Sequence, residues 1–210
     1  NEALALDGLK NSHPIEQKVD HPAEIGQLFD PISYSKGGSI LRMLEHFLGP
    51  ETFRQGLNFY LKRHQYGNAS TQDLWDSLGE CSNQPVSEIM DTWTTQTGYP
   101  MIDVQTTQTN GELKLIISQN RFSYDHLTDP KSCDKTLWQI PLDAKTSTGS
   151  VSTLMSKKET NLSLSIPQNS PGKDWFKVNS NQTGFYRVNY SPADWAKLHP
   201  AIQGMMIPAT

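Results

Sequence analysis

The sequence is poor in the features that would let a chain work alone. Its 210 residues hold two cysteines, Cys81 and Cys133, too few for a disulfide framework and too far apart for a metal knuckle. Cys81, after Gly79-Glu80, reads as a small half-buried residue rather than a nucleophile. No apolar run reaches the roughly 18 residues that a membrane span requires. Eighteen Lys and Arg against 22 Asp and Glu give a net charge of −4, with no basic stripe. That excludes a nucleic-acid binder and a polybasic membrane-surface protein. Hydrophobic residues make up only 35%, the remainder being filled by Ser, Thr, Asn and Gln. Disorder is excluded all the same, because 5 Trp, 7 Tyr and 7 Phe are spread along the chain and need burial.

Catalytic motifs are missing too. The histidines are His13, His21, His46, His64, His126 and His199. No two lie four apart, so the H-E-x-x-H arrangement of two imidazoles on one helical face is absent. There is no G-x-S-x-G elbow and no phosphate-binding loop. His13-Pro14 and His21-Pro22 read as loop residues, and Glu45-His46 as a solvated pair. By residue inventory the chain is not a complete enzyme. Asn1 is no start methionine, and no leader pattern follows it, which gives the expectation of a fragment or a mature product.

The periodicity changes near residue 98. Ile40, Met43, Leu44, Phe47 and Leu48 lie at helical spacing, and Gly49-Pro50 ends that helix and starts another. The second carries Phe53, Leu57, Tyr60 and Leu61 as its inward face. Ser70 with Asp73 reads as a capping box opening a third helix, with Leu74, Trp75 and Leu78. A fourth runs from Val86 to about Thr95, with Val86, Ile89, Met90 and Trp93 inward. After Tyr99-Pro100 the period becomes two. Strands over 101–104 and 112–118 flank the turn pair Asn110-Gly111. Further strands fall at 137–142, 151–155, 162–166, 175–178 and 184–188, the spacing of a small antiparallel sandwich. A helix starts after Pro192 and is expected to end at His199-Pro200. The fold class is therefore α+β.

The segment from Leu28 to Ser39 is less ordinary. Tyr34 stands before a helix whose first turn holds Lys36, Gly37 and Gly38. Two glycines there cost about 1 kcal/mol each against alanine, which suggests close approach of a backbone or ligand. A tyrosine hydroxyl at a helix start could donate to an oxyanion. From the residues alone the commoner outcome is a Tyr34 packed in the core, with the glycines permitting a tight helix crossing.

Ile32-Ser-Tyr-Ser-Lys-Gly37 followed by Ile40-Leu-Arg-Met-Leu44 resembles the M1 family of zinc aminopeptidases. So do Ser12-His-Pro14, Gly56-Leu57 with Tyr60-Leu61, and Asn68-Ala69. Met90-Asp-x-Trp-Thr-x-Gln-x-Gly-Tyr-Pro100, Trp138-x-Ile-Pro-Leu142 and Asn181-Gln-Thr-Gly-Phe-Tyr-Arg-Val-Asn-Tyr190 also match in order. The likeness is closest to the animal cell-surface group that includes aminopeptidase N and glutamyl aminopeptidase. It implies that 1–98 is the C-terminal helical part of a thermolysin-like catalytic domain. It makes 99–190 a β-sandwich domain and 191–210 the start of a helical domain, with an atypical tail from 199 that suggests a truncated or misjoined product. It implies a parent that removes N-terminal residues from peptides with a free N-terminus. The zinc, its ligands and the general base would belong to the parent and lie outside this chain, leaving the isolated chain inactive. Tyr34 would be the catalytic oxyanion donor and Phe29 a wall of the substrate pocket. The resemblance also implies a membrane-anchored, type II ectodomain or secreted glycoprotein, with sequons at Asn68, Asn161, Asn181 and Asn189. A homodimeric parent is among its implications. The N-terminal helices would expose apolar faces for want of packing partners. The competing reading is a non-catalytic helical plus sandwich interaction module, or a truncated relic.

Overall fold

The computed structural model describes residues 2–124, 134–167 and 172–204. Helices come first: α1 (Glu2–Asp7), a 3-10 turn (Pro22–Leu28), a π turn (Ile32–Lys36), α2 (Gly37–Leu48), α3 (Pro50–Arg63), α4 (Thr71–Ser82) and α5 (Val86–Thr94). Among the described residues seven strands follow: β1 (Pro100–Thr109), β2 (Glu112–Arg121), β3 (Ile140–Thr146), β4 (Ser150–Met155), β5 (Glu159–Ser165), β6 (Phe176–Val178) and β7 (Arg187–Asn189). Helix α6 spans Pro192–Gly204. The α+β class stands, with two small, mostly antiparallel sheets.

Local chemistry accounts for most of these elements. Ser70 accepts from the Asp73 amide while the Asp73 carboxylate accepts from the Ser70 amide, a complete capping box for α4. Pro50 occupies the first turn of α3. Helix α3 crosses α4 through Gly56: a Cβ there would come within 2.7 Å of Leu78 Cδ2 and 3.1 Å of Leu78 Cα. Gly56→Ala should therefore lower stability by about 1 kcal/mol, overpacking outweighing the gain in helix propensity. The urea midpoint is the check; an unchanged or raised midpoint would mean the crossing relaxes freely.

Asn110 (φ 49°) and Gly111 (φ 82°) make the β1–β2 turn with both residues left-handed, as the right-handed twist of a hairpin requires. One sheet has the order β5-β2-β1-β7 and the other β4-β3-β6. Leu113, Leu115 and Ile117 alternate into the core, and so does Gln119. Gln119 is fully satisfied there, donating to the Trp138 and Lys157 carbonyls and accepting from the Trp138 amide. The core is continuous from the helices into the strands. Trp93 of α5 donates its indole N–H to the Gln139 carbonyl at 2.9 Å, and its ring lies 6.2 Å from that of Trp138.

Several expectations need correction. Strands β1 and β7 run parallel, Met101 opposite Arg187, because β7 arrives by a long connection rather than a hairpin. Helix α6 passes through Pro200 instead of ending before it. Leu61 is 64% exposed, because α3 buries only Gly56 fully and turns that side to solvent. Cys81 is exposed; Cys133, and with it any pairing of the two, lies outside the described residues, as does the tail beyond Gly204. Exposed apolar side chains include Leu6, Leu9, Ile25 and Leu41 in the helical part and Ile116, Leu137 and Trp195 beyond it.

Candidate active-site segment

Tyr34 does not precede the helix, as the sequence suggests. It lies inside a π turn that runs directly into α2, its amide bonded to the Asp30 carbonyl at 3.1 Å. Ile32 and Lys36, four residues apart, point inward and are buried, and Tyr34 between them points outward, 64% exposed. Within the described residues, then, this tyrosine is not packed in the core. Phe29 follows the 3-10 turn and is 67% exposed. The two rings are 6.1 Å apart at 33°. The structure thus brings both candidate residues onto one surface. A Cβ built on Gly37 or Gly38 meets nothing within 4 Å, so neither glycine serves a helix crossing within this chain.

Beneath Tyr34 lies a buried ion pair. The Lys36 ammonium meets Asp7 Oδ2 at 3.0 Å, both side chains wholly buried. It also donates to the carbonyls of Gln96 (3.2 Å) and Gly98 (3.1 Å). Asp7 Oδ1 accepts from the Gly98 amide at 2.9 Å and from Ser12 Oγ at 2.6 Å. Gly98 is required in this knot: its φ is +84°, and a Cβ would sit 2.6 Å from Arg121 Nε. Burial pushes the Lys36 pKa down, against the opposing pull of Asp7. Sequence reasoning missed this pair. The signal was there for Lys36, which continues the Ile40, Met43, Leu44 stripe one turn back, and nothing comparable marked Asp7 as its partner.

A second charge contact steadies the entrance to the π turn. Asp30 Oδ1 accepts from the Ser33 amide at 2.8 Å, and Asp30 Oδ2 lies 2.5 Å from His13 Nε2. His13 is therefore no bland loop residue. Burial disfavours its charged form, but hydrogen bonds to the Pro14 carbonyl and Asp30 outweigh that and raise its pKa above the usual 6.5. For Asp30, burial likewise opposes the charge, and the Ser33 and His13 hydrogen bonds prevail to lower its pKa below 3.8. The imidazolium contributes stability that is complete below pH 6.5 and lost as pH rises through its raised value. The carboxylate's contribution is complete above 3.8 and lost as pH falls through its lowered value. The stability advantage of the wild type over His13→Gln should thus be larger at about pH 5.5 than at about pH 8.5. Urea midpoints at the two pH values test this; an equal advantage would discount the pair.

Among the described residues, no three His, Cys, Asp or Glu side chains converge as a cation-binding group. These residues do not fit a zinc centre. A cleft of about 540 Å³ lies between α2, the β6–β7 connection and α6, lined by Arg42, Lys177 and Arg187 among others. Tyr34 and Phe29 do not line it.

Comparison with known proteins defines the class. Residues 1–93 match the peptidase family M1 domain. The chain is 41% identical over 207 residues to a puromycin-sensitive aminopeptidase of Caenorhabditis elegans, covering 98% of this chain and 21% of that protein. It is 43% identical over 192 residues to glutamyl aminopeptidase of Sus scrofa, covering 90% of this chain and 20% of that one. It is 42% identical over 197 residues to "Aminopeptidase 2, mitochondrial" of Saccharomyces cerevisiae, covering 93% and 20%. The chain belongs to the M1 peptidase family, whose members are in general zinc-dependent, and it spans about a fifth of the length of these relatives.

These relatives correct one expectation. The cell-surface group is not singled out, since the nematode and yeast proteins match as well as the glutamyl aminopeptidase. The placement of the parent as an extracellular, type II membrane ectodomain is therefore withdrawn. Among the described residues no helix is long and apolar enough to cross a membrane.

Proposed function

We propose that this chain is the part of a zinc aminopeptidase that supplies Tyr34 to the active site. On this reading the parent removes N-terminal residues from peptides with a free N-terminus. The metal, its ligands and the general base come from outside these 210 residues, and the chain alone is inactive. Residues 1–98 are then the end of a thermolysin-like catalytic domain, 99–190 a β-sandwich and 191–210 the start of a helical domain. The end of the family match at residue 93, beside the end of α5 at Thr94, supports that division.

The observation that carries the proposal is a solvent-facing tyrosine on an anchored π turn. π turns of this kind occur often at functional sites. In a chain that spans about a fifth of its relatives' length, this aromatic pair is open to the rest of the parent, where the metal and the substrate would lie on this reading. As a peptide carbonyl is attacked, negative charge grows on its oxygen. The Tyr34 phenol can donate its hydroxyl hydrogen bond to that oxygen. Phe29, beside it, walls the pocket for the substrate's first side chain.

Reading the coding sequence upstream of Asn1 tests the proposal. An in-frame H-E-x-x-H with a glutamate about one helix later is the expected result. A start codon with no such motif would overturn it in favour of the non-catalytic module.

A further inference from the structure

The aim of the Tyr34 ring is set by its backbone, because the ring is 64% exposed and has Phe29 beside it rather than a packed socket. That backbone is a π turn, wider than an α turn and rare in isolation. Such a conformation persists where its surroundings over-determine it. The surroundings here are Ile32 and Lys36 on the buried side. Of the two, only Lys36 makes directed bonds, to the carbonyls of Gln96 and Gly98 before β1, and its ammonium also forms an ion pair with Asp7 of α1 at 3.0 Å. Those contacts tie the end of the π turn to two other parts of the chain at once. Stability is a weak reason to keep ions in such a place, since apolar replacements of a buried pair are often neutral or better. Geometry is the stronger reason.

We infer that Lys36, held by Asp7, is a positioning residue for Tyr34: its buried ammonium fixes the π turn so that the Tyr34 hydroxyl reaches the developing oxyanion. The inference rests on the reading of Tyr34 as the oxyanion donor. Asp7 and Lys36 do not touch the substrate; they act through the backbone that carries Tyr34.

The test is a double-mutant cycle in the full-length enzyme. Lys36→Met alone would strand a buried carboxylate, so it is combined with Asp7→Asn, which keeps an oxygen for the Gly98 amide and Ser12. The paired variant should fold with its metal bound and KM within about threefold, while kcat falls by about tenfold or more, the scale expected when a reacting group is misplaced by part of an ångström. In a Tyr34→Phe background the same pair of changes should lower kcat no further. Unchanged kcat in the paired variant, with Tyr34→Phe impaired, would overturn the inference and leave the Tyr34 reading intact. An equal fractional loss in both backgrounds would also overturn it, as the mark of a structural role only. Unchanged kcat in Tyr34→Phe itself would remove the reading on which the inference stands.

Discussion

Tyr34→Phe in the full-length enzyme is expected to lower kcat by about 10²–10³, the usual cost of removing one oxyanion donor. KM should change little, because the hydrogen bond strengthens as charge develops on the carbonyl oxygen and contributes less in the ground state. The fold should be indifferent. The side chain is 64% exposed, the phenyl ring that remains keeps its contact with Phe29, and the turn is held through Ile32 and Lys36. Thermal melting and metal content of the variant should match the wild type. A variant with normal melting, normal metal content and normal kcat would show that the hydroxyl does not meet the reacting group.

The second large effect concerns stability. Asp7→Ala removes the carboxylate from a wholly buried ammonium and also orphans the Gly98 amide. Breaking one side of a buried pair costs about 3–5 kcal/mol, because the remaining charge is left uncompensated in a dry site. That is a large share of the stability of any domain of this size. Replacing both members at once removes the stranded charge and should restore most of the loss. Urea unfolding monitored by the tryptophans measures both variants. A midpoint for Asp7→Ala near that of the wild type would mean that water reaches Lys36, contrary to its complete burial.

The contrast between the two predictions reflects how the segment is built. On the proposed reading, one face of the π turn carries a group whose loss is expected to cost turnover and no stability. The opposite face carries a group whose loss is expected to cost stability directly. A single residue, Ser35, lies between Tyr34 and Lys36, and the backbone there is the only connection such a division needs.

Local chemistry made much of this legible. The capping box at Ser70, the Asn110-Gly111 turn and the inward stripe of α5 are short-range patterns, and each stands where the residues put it. What the residues could not reveal depends on parts of the chain that meet only after folding. Asp7 and Gly98 are brought together across 91 residues, and no spacing rule anticipates that. The parallel register of β1 and β7 arises from the same kind of long-range closure. His13 looked like a loop residue because its partner Asp30 lies 17 residues away. Pro200 shows the limit of a local rule: the loss of one amide hydrogen bond was tolerated within α6. Tyr34 was marked by its place before two glycines and then by resemblance, Phe29 by resemblance alone, and the structure adds that both face outward from one anchored surface.

The most direct measurement is the affinity of the full-length enzyme, with Tyr34 and with Tyr34→Phe, for a phosphinic peptide that mimics the tetrahedral intermediate. A product-like amino acid serves as the ground-state control. If Tyr34 stabilises the oxyanion, the substitution should weaken the phosphinic peptide by a factor close to its effect on kcat/KM and leave the control unchanged. Equal affinity of both proteins for the phosphinic peptide would contradict the account.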